Sequence, residues 1–411
     1  MKNLRVRWLL AAPLLGFVNC PGEANPATSA DVANASSRAT VHTQSSQSPA
    51  VPGRFFVVMR PDSDSRHSVR RIITQFLANG QLAKRDVHYV LATGGPPTFS
   101  ATLTAEQISA MRLSPEVDTI YRVPIQRLYA NTPQVTNEAQ VPWGLDRIDQ
   151  VDGNLDGLYT YRSTGQNVHV YIIDSGIRRD HSEFLGRIHS AKDFVDSANG
   201  GEDKTGHGTA VAAAIGGTKV GVAKGVFLHI VRVFDTADTA NADLVATAIL
   251  FVAENHESPA VLNYSGGGDP NSVIDSRVAY AVSKGVTVVV AAGNDPVDAC
   301  QGSPARDTAA VITVGASNIN DNSAGFAYGP CVEIYAPGDK ILSAASTGAD
   351  DWAPVSGTSI ATPYVTGVAA QFLETHQTAT PRDVRRAILG AATRTIYDSE
   401  GGSAHLLYTN F

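Results

Sequence analysis

Four short runs rich in Val, Ile and Leu constrain this chain more than any other feature. Val168–Ile173, Phe227–Val233, Ala260–Tyr264 and Thr287–Ala292 are apolar enough along their length to be strands covered on both faces. Between the second and third runs, Leu244, Val245, Ala248, Ile249 and Val252 fall on one side of a helix. Between the third and fourth, Ile274, Val278 and Val282 do the same. Strands alternating with helices predict an α/β fold, a parallel sheet with helices on both faces. With 411 residues, 43% of them apolar and 17% charged, the chain can bury such a core and still hold a second folded unit.

That second unit is read ahead of residue 128. Lys2, Arg5 and Arg7 precede an apolar run from Trp8 to Val18, too short to span a bilayer, so residues 1–20 read as an export signal. Cys20 directly after the run raises the alternative of a lipid anchor. Residues 21–52, rich in Ala, Ser, Thr and Pro, read as a disordered spacer. From Gly53 the pattern becomes a strand (Arg54–Met59), a helix with Val69, Ile72, Ile73 and Phe76 on one face, and strands at Val87–Leu91 and Thr98–Leu103. Thr104 and Gln107 form a capping box for a short helix, and Val117–Tyr121 is a last strand. The order βαββαβ predicts a small α+β, ferredoxin-like domain over 53–127. Residues 128–141 are polar and linker-like, and the α/β domain runs from 142 to 411.

Three segments carry chemistry when read together. Asp174 follows the first strand, where a parallel sheet gathers functional groups. His207 sits in Gly206-His207-Gly208-Thr209 before a run of small residues that forms a helix able to pack closely. Ser359 lies in Gly357-Thr358-Ser359-Ile360-Ala361-Thr362-Pro363, a tight glycine turn at a helix start, with Pro363 tolerable only near that start. A serine hydroxyl is a weak nucleophile near neutral pH; a histidine must take its proton and a carboxylate must hold that histidine. The oxyanion that follows needs fixed donors, for which Asn294 and the Ser359 backbone N–H are the candidates. Cys300 and Cys331 are the cysteines of the chain body, either one disulfide worth about 3–4 kcal/mol or two separate thiols.

At these motifs the sequence resembles the subtilisin-like serine proteases of the proteinase K and aqualysin group. The order Asp, His, Ser matches, as do Asp174-Ser175-Gly176, Gly206-His207-Gly208-Thr209, Ala291-Ala292-Gly293-Asn294 and the Ser359 segment. Pro142-Trp143-Gly144-Leu145-Asp146-Arg147-Ile148-Asp149 is similar to the start of the mature enzyme in that group. The resemblance implies an endopeptidase working through an acyl-enzyme, with residues 53–127 as an inhibitory propeptide removed by self-cleavage between about Tyr129 and Val141. It implies that substrate pairs along Ser265, Gly266 and Gly267, and that Ala291, Ala292 and Gly293 wall a pocket suited to apolar or aromatic side chains. Gly266 stands where the group has leucine, which predicts a more open wall. It also implies a Cys300–Cys331 disulfide, and a structural calcium held by the Ala309 and Val311 carbonyls with Glu333, although the chemistry needs no cofactor. Ala210, Ile360 and Tyr364 depart from the group's His, Met and His, and Lys204 and Thr236 stand where a second bridge would be.

Two rival classes remain. A catalytically silent peptide binder would keep the scaffold, but the complete triad with Asn294 argues against it. An exported esterase would present Gly-x-Ser-x-Gly, whereas the context here is Gly-Thr-Ser-Ile-Ala. With a net charge of −7 and no dense Lys/Arg block, nucleic acid is not an expected partner. The expectation is a secreted monomer acting on proteins and peptides.

Overall fold

The computed structural model describes residues 40–42, 49–61, 65–128 and 141–411. The signal, nearly all of the spacer and most of the linker fall outside the described residues. The N-terminal module comprises β1 (Thr40–His42), β2 (Ala50–Met59), α1 (Ser65–Ala78), β3 (Val87–Leu91), β4 (Thr98–Thr102), α2 (Ala105–Met111) and β5 (Val117–Leu128). Its sheet runs β1-β5-β2-β4-β3, and β2 to β5 pair antiparallel as expected for βαββαβ. Val69, Ile72 and Phe76 bury against Val57, Phe99 and Ile120, and the Thr104–Gln107 capping box closes α2.

Two boundaries differ from the sequence reading. The first strand begins at Ala50, inside the expected spacer, and the last continues seven residues beyond Tyr121 to Leu128. Phe99 and Ala101 face the module's own core as alternation predicts, yet Thr98 and Ser100 on the other face are buried as well. That second face is covered by the α/β domain.

The α/β domain contains α3 (Trp143–Ile148), β6 (His169–Asp174), β7 (Ile188–Asp193), α4 (His207–Gly216), β8 (Phe227–Arg232), β9 (Thr239–Asn241), α5 (Ala242–Asn255), β10 (Ala260–Tyr264) and β11 (Gly266–Gly267). Next come α6 (Ser272–Ser283), β12 (Val286–Ala291), β13 (Ile312–Ser317), β14 (Ile334–Pro337), β15 (Ile341–Ala344), β16 (Trp352–Val355), α7 (Thr358–Thr375), α8 (Pro381–Ala391), β17 (Thr395–Tyr397) and β18 (Ser403–Leu406). The main sheet has nine strands in the order β17-β18-β14-β13-β12-β10-β6-β8-β7, with every neighbour parallel except β17 against β18. One face buries α4, α7 and α8 in the larger core; α5 and α6 cover the other.

The module rests on those last two helices. Phe56, Leu91, Tyr121 and Val123 join the apolar core of α5 and α6. Polar contacts fix the alignment. Ser100 donates to Asp243 (2.6 Å), and the Arg277 guanidinium donates to the carbonyls of Leu91 (3.1 Å), Gly94 (2.9 Å) and Pro96 (3.2 Å). Arg277 is fully buried, so these carbonyls stand in for the water it has lost. Cys300 and Cys331 form a disulfide with their Cα atoms 5.3 Å apart, within the usual span.

Candidate active site

Asp174 ends β6 at the carboxyl edge of the sheet and is wholly buried. Its Oδ1 accepts the Ser175 N–H (2.7 Å) and His207 Nδ1 (2.7 Å). His207 opens α4 behind Gly206, whose φ of +96° suits glycine. A Cβ on Gly208 would lie 2.1 Å from the Gly176 carbonyl, so glycine there lets α4 approach β6 closely enough for the carboxylate to reach the ring. Burial disfavours the charged imidazole, but the adjoining Asp174 carboxylate outweighs it and the His207 pKa is raised overall. His207 Nε2 is buried with no hydrogen-bond partner among the described residues, so the imidazole–serine bond expected from the sequence is not formed. Such bonds often tighten only when substrate is in place.

A residue that the sequence reading passed over holds this arrangement together. Asp203 accepts the backbone N–H of Thr205, Gly206 and Thr209, together with the hydroxyls of Ser175 and Thr209. Ser175 Oγ in turn accepts the Gly208 N–H. One carboxylate thereby ties the loop before α4 to the end of β6. An acidic residue four positions before a histidine is too common to be noticed in sequence alone.

Ser359 is the second residue of α7, fully buried, behind Gly357 at φ +145°. Helices α4 and α7 pack against each other. Pro363 lies inside α7 and cannot donate to the carbonyl four residues back. That carbonyl belongs to Ser359, and it accepts Ser265 Oγ instead (2.9 Å). Asn263 Nδ2 donates to the same Ser265 hydroxyl, and Thr366 donates to Asn263 Oδ1. The proline thus turns a lost helix bond into a link between the serine's turn and the end of β10.

Asn294 follows β12, and its Oδ1 accepts both the N–H (2.8 Å) and the hydroxyl (3.0 Å) of Thr358. With the oxygen end engaged, Nδ2 is the end able to donate to a negative oxygen. Thr358, also overlooked in the sequence, is the residue that orients it.

Beside these groups runs a cleft that already contains a peptide strand. The second half of β5 pairs antiparallel with β9 (Ile125 opposite Asn241, Arg127 opposite Thr239) and with β11 (Leu128 opposite Gly266, Arg127 opposite Gly267). A cavity of about 470 Å³ opens between Gly267–Asp269 and Ala292–Asp295. Of the expected small wall, Ala292 and Gly293 line it and Ala291, the last residue of β12, does not; Asp269, Asp295 and Asp298 line it as well. The wall at Gly266 is not more open, contrary to expectation. A Cβ there would meet the Phe234 ring at 2.9 Å, the Arg127 carbonyl of β5 at 3.0 Å and the Tyr264 ring at 3.2 Å, so two aromatic rings and the paired strand crowd the space a side chain would take.

The proposed calcium ligands do not fit that ion. The Glu333 carboxylate accepts Nε (2.9 Å) and Nη2 of Arg385, so a guanidinium already neutralises the one charged group of the set. Glutamate is one methylene longer than aspartate, and that extra reach carries the carboxylate to the arginine. No step is derived through calcium here. Of the three departures near the chemistry, Ala210 and Ile360 are buried and accommodated, and the Tyr364 ring fills space against Gly144.

A sheet whose carboxyl edge joins a buried carboxylate to an imidazole, beside a groove that holds a peptide backbone, defines a subtilisin-like serine endopeptidase. The match to known proteins agrees. The model of the Subtilase family covers residues 165–407, and this chain belongs to that family. It is 40% identical over 378 residues to the Extracellular serine proteinase of Thermus sp. (strain Rt41A), spanning 88% of this chain and 90% of the relative. It is 40% identical to the Alkaline serine exoprotease A of Vibrio alginolyticus, over 76% of this chain and 58% of that protein. The crystal structure of a cold adapted subtilisin-like serine proteinase superposes over 66% of this chain and all of its own, with 39% identity and a TM-score of 0.64.

Proposed function

We propose that Ser359 is the nucleophile of peptide-bond hydrolysis, His207 its general base and Asp174 the group that orients the base. The single observation that carries this reading is the 2.7 Å bond from His207 Nδ1 to buried Asp174, which fixes the tautomer and turns the lone pair of Nε2 outward. Ser359 Oγ attacks the scissile carbonyl while Nε2 takes its proton. The tetrahedral oxyanion is met by Asn294 Nδ2 and the Ser359 N–H. Nε2 then returns the proton to the amine nitrogen as the C–N bond breaks, leaving an ester. Water, deprotonated by the same imidazole, attacks that ester; the acyl C–O bond to Ser359 breaks as Nε2 gives its proton to Oγ, which frees the acid and restores the serine.

The N-terminal module acts in this reading as an inhibitory propeptide, with β5 lying where substrate would pair. The described pairing reaches Leu128 opposite Gly266, so the self-cleavage expected between about Tyr129 and Val141 would fall beyond the paired segment. Tyr129, the first residue of that stretch, is of the aromatic type that the proposed preference favours. Residues 1–20 serve export, and the extracellular description of the Thermus relative supports secretion over a lipid anchor at Cys20. Cys20 itself lies outside the described residues.

N-terminal sequencing of the processed protein tests the whole reading at once. A new terminus between about Ala130 and Val141 is expected, and the Ser359→Ala chain should stay uncut. Processing of Ser359→Ala at the wild-type rate, in the absence of other proteases, would remove the nucleophile assignment. Equal cleavage after charged and aromatic residues in a peptide library would remove the specificity.

A further inference from the structure

The opposite edge of the main sheet carries a second group of histidines that hydrolysis does not use. His169, His189 and His229 stand at or near the amino ends of β6, β7 and β8, three adjacent strands in the order β6-β8-β7. Glu257 joins them from the loop between α5 and β10. His169 Nδ1 lies 2.8 Å from His229 Nε2 and 4.0 Å from Glu257 Oε1, and His189 Nε2 lies 3.5 Å from the same Glu257 oxygen. The three ring centroids are 4.9 to 5.7 Å apart. His169 and His229 are buried; His189 and Glu257 are exposed, which leaves a way in from solvent.

We propose that His169, His189, His229 and Glu257 form a zinc site at the amino edge of the sheet. Three imidazoles and one carboxylate are ligands zinc favours, whereas calcium and magnesium prefer oxygen throughout. Ligand atoms about 2.0–2.1 Å from a tetrahedral ion stand roughly 3.3 Å from one another. Ligand atoms of His169, His229 and Glu257 lie within 4.8 Å of one another, with separations of 2.8 and 4.0 Å on both sides of that value, and His189, whose Nε2 is 3.5 Å from Glu257 Oε1, completes the set by rotation of its exposed side chain.

The surroundings are those of a built site. Ser190 Oγ sits 2.8 Å from His229 Nδ1, which assigns Nε2 to the ion. The Tyr171 ring stacks on His229 with centroids 4.3 Å apart, and its hydroxyl accepts the Glu257 N–H (2.9 Å). Ring and loop are therefore held by the same tyrosine. A simple His169–His229 hydrogen bond would explain the 2.8 Å contact, but it gives no reason for His189 and Glu257 to converge on it. The ion would clip edge strand β7 to β8, β6 and the loop before β10. His169 and Asp174 lie at opposite ends of one strand, about 16 Å apart, so the site is structural and separate from the cleft.

Titration of the chelator-stripped full chain with Zn²⁺, in the presence of excess Ca²⁺, tests the assignment by calorimetry. One equivalent bound, with a higher Tm, is expected. Co²⁺ at the same stoichiometry should give the visible bands of a tetrahedral ion. His189→Ala and Glu257→Gln change exposed side chains, so both should keep the wild-type circular dichroism while binding zinc at least about tenfold more weakly. Ser190→Ala should weaken binding by roughly tenfold, through loss of ring orientation. No stoichiometric zinc in the wild-type chain, or equal binding by the wild type and both ligand variants, overturns the proposal.

Discussion

Two buried histidines at opposite edges of one sheet are pushed in opposite directions. His207, at the carboxyl edge, has its pKa raised, because the Asp174 carboxylate beside it more than offsets burial. His229, at the amino edge, is pushed down to about 3 by burial and then by His169 and His189. Burial acts alike on both rings, and the neighbour decides the outcome. A carboxylate partner makes a ring that can gain a proton during a reaction; imidazole partners make one that stays neutral and offers lone pairs. The same fold thus holds rings of opposite proton affinity at its two edges.

The largest effect that would break this contrast comes from Asp174→Asn. Removing the carboxylate should lower kcat/KM by about 10⁴-fold and leave His207 resembling a histidine without an acidic partner. A loss below tenfold on a peptide substrate would show that the carboxylate does not set the base apart. Asn294→Ala comes next, with an expected drop in kcat of about 10²–10³-fold and little change in KM. A change confined to KM would move Asn294 from charge stabilisation to substrate binding. Asp203→Asn should cost about 10²-fold, because His207 would lose the loop that aims it. If circular dichroism and Tm both collapse in that variant, Asp203 is a stability residue rather than a positioning one.

The smallest effect is the pH profile of the wild type. The base must be neutral to accept a proton, so activity falls as pH drops through a pKa that the carboxylate has raised. The midpoint of the acid limb of kcat/KM should therefore lie above the ordinary histidine value of about 6.5. Asp174→Asn should move it to lower pH. A wild-type midpoint at or below 6.5 would contradict the contrast.

What the sequence made legible was whatever depends on pattern along the chain. The buried strands at β6, β8, β10 and β12, the apolar stripes of α5 and α6 and the Thr104–Gln107 box all come from local periodicity. The Asp174, His207 and Ser359 segments stood out because their glycines and proline are rare in that combination. Features that depend on a distant partner were not legible. Residues 125–128 alternate without reaching a strand pattern, since their partners are the backbones of β9 and β11. Asp203 acts largely through backbone N–H groups, which any sequence supplies, and Thr358 acts on Asn294, 64 positions away. Glu333 was read as a cation ligand because Arg385, 52 positions on, cannot be placed beside it before the chain is folded. The filled wall at Gly266 likewise depends on Phe234 arriving from the end of β8.

Strand β5 belongs to two sheets at once, its first half to the N-terminal module and its second half to the cleft. If that second half blocks the cleft as proposed, it is present there at an effective concentration in about the millimolar range while the chain is continuous, however dilute the solution. Once the chain is cut beyond Leu128, that advantage disappears and blockade becomes an ordinary bimolecular equilibrium. The enzyme would then stay silent where it is made and crowded, and awaken as it disperses, with dilution itself as the trigger.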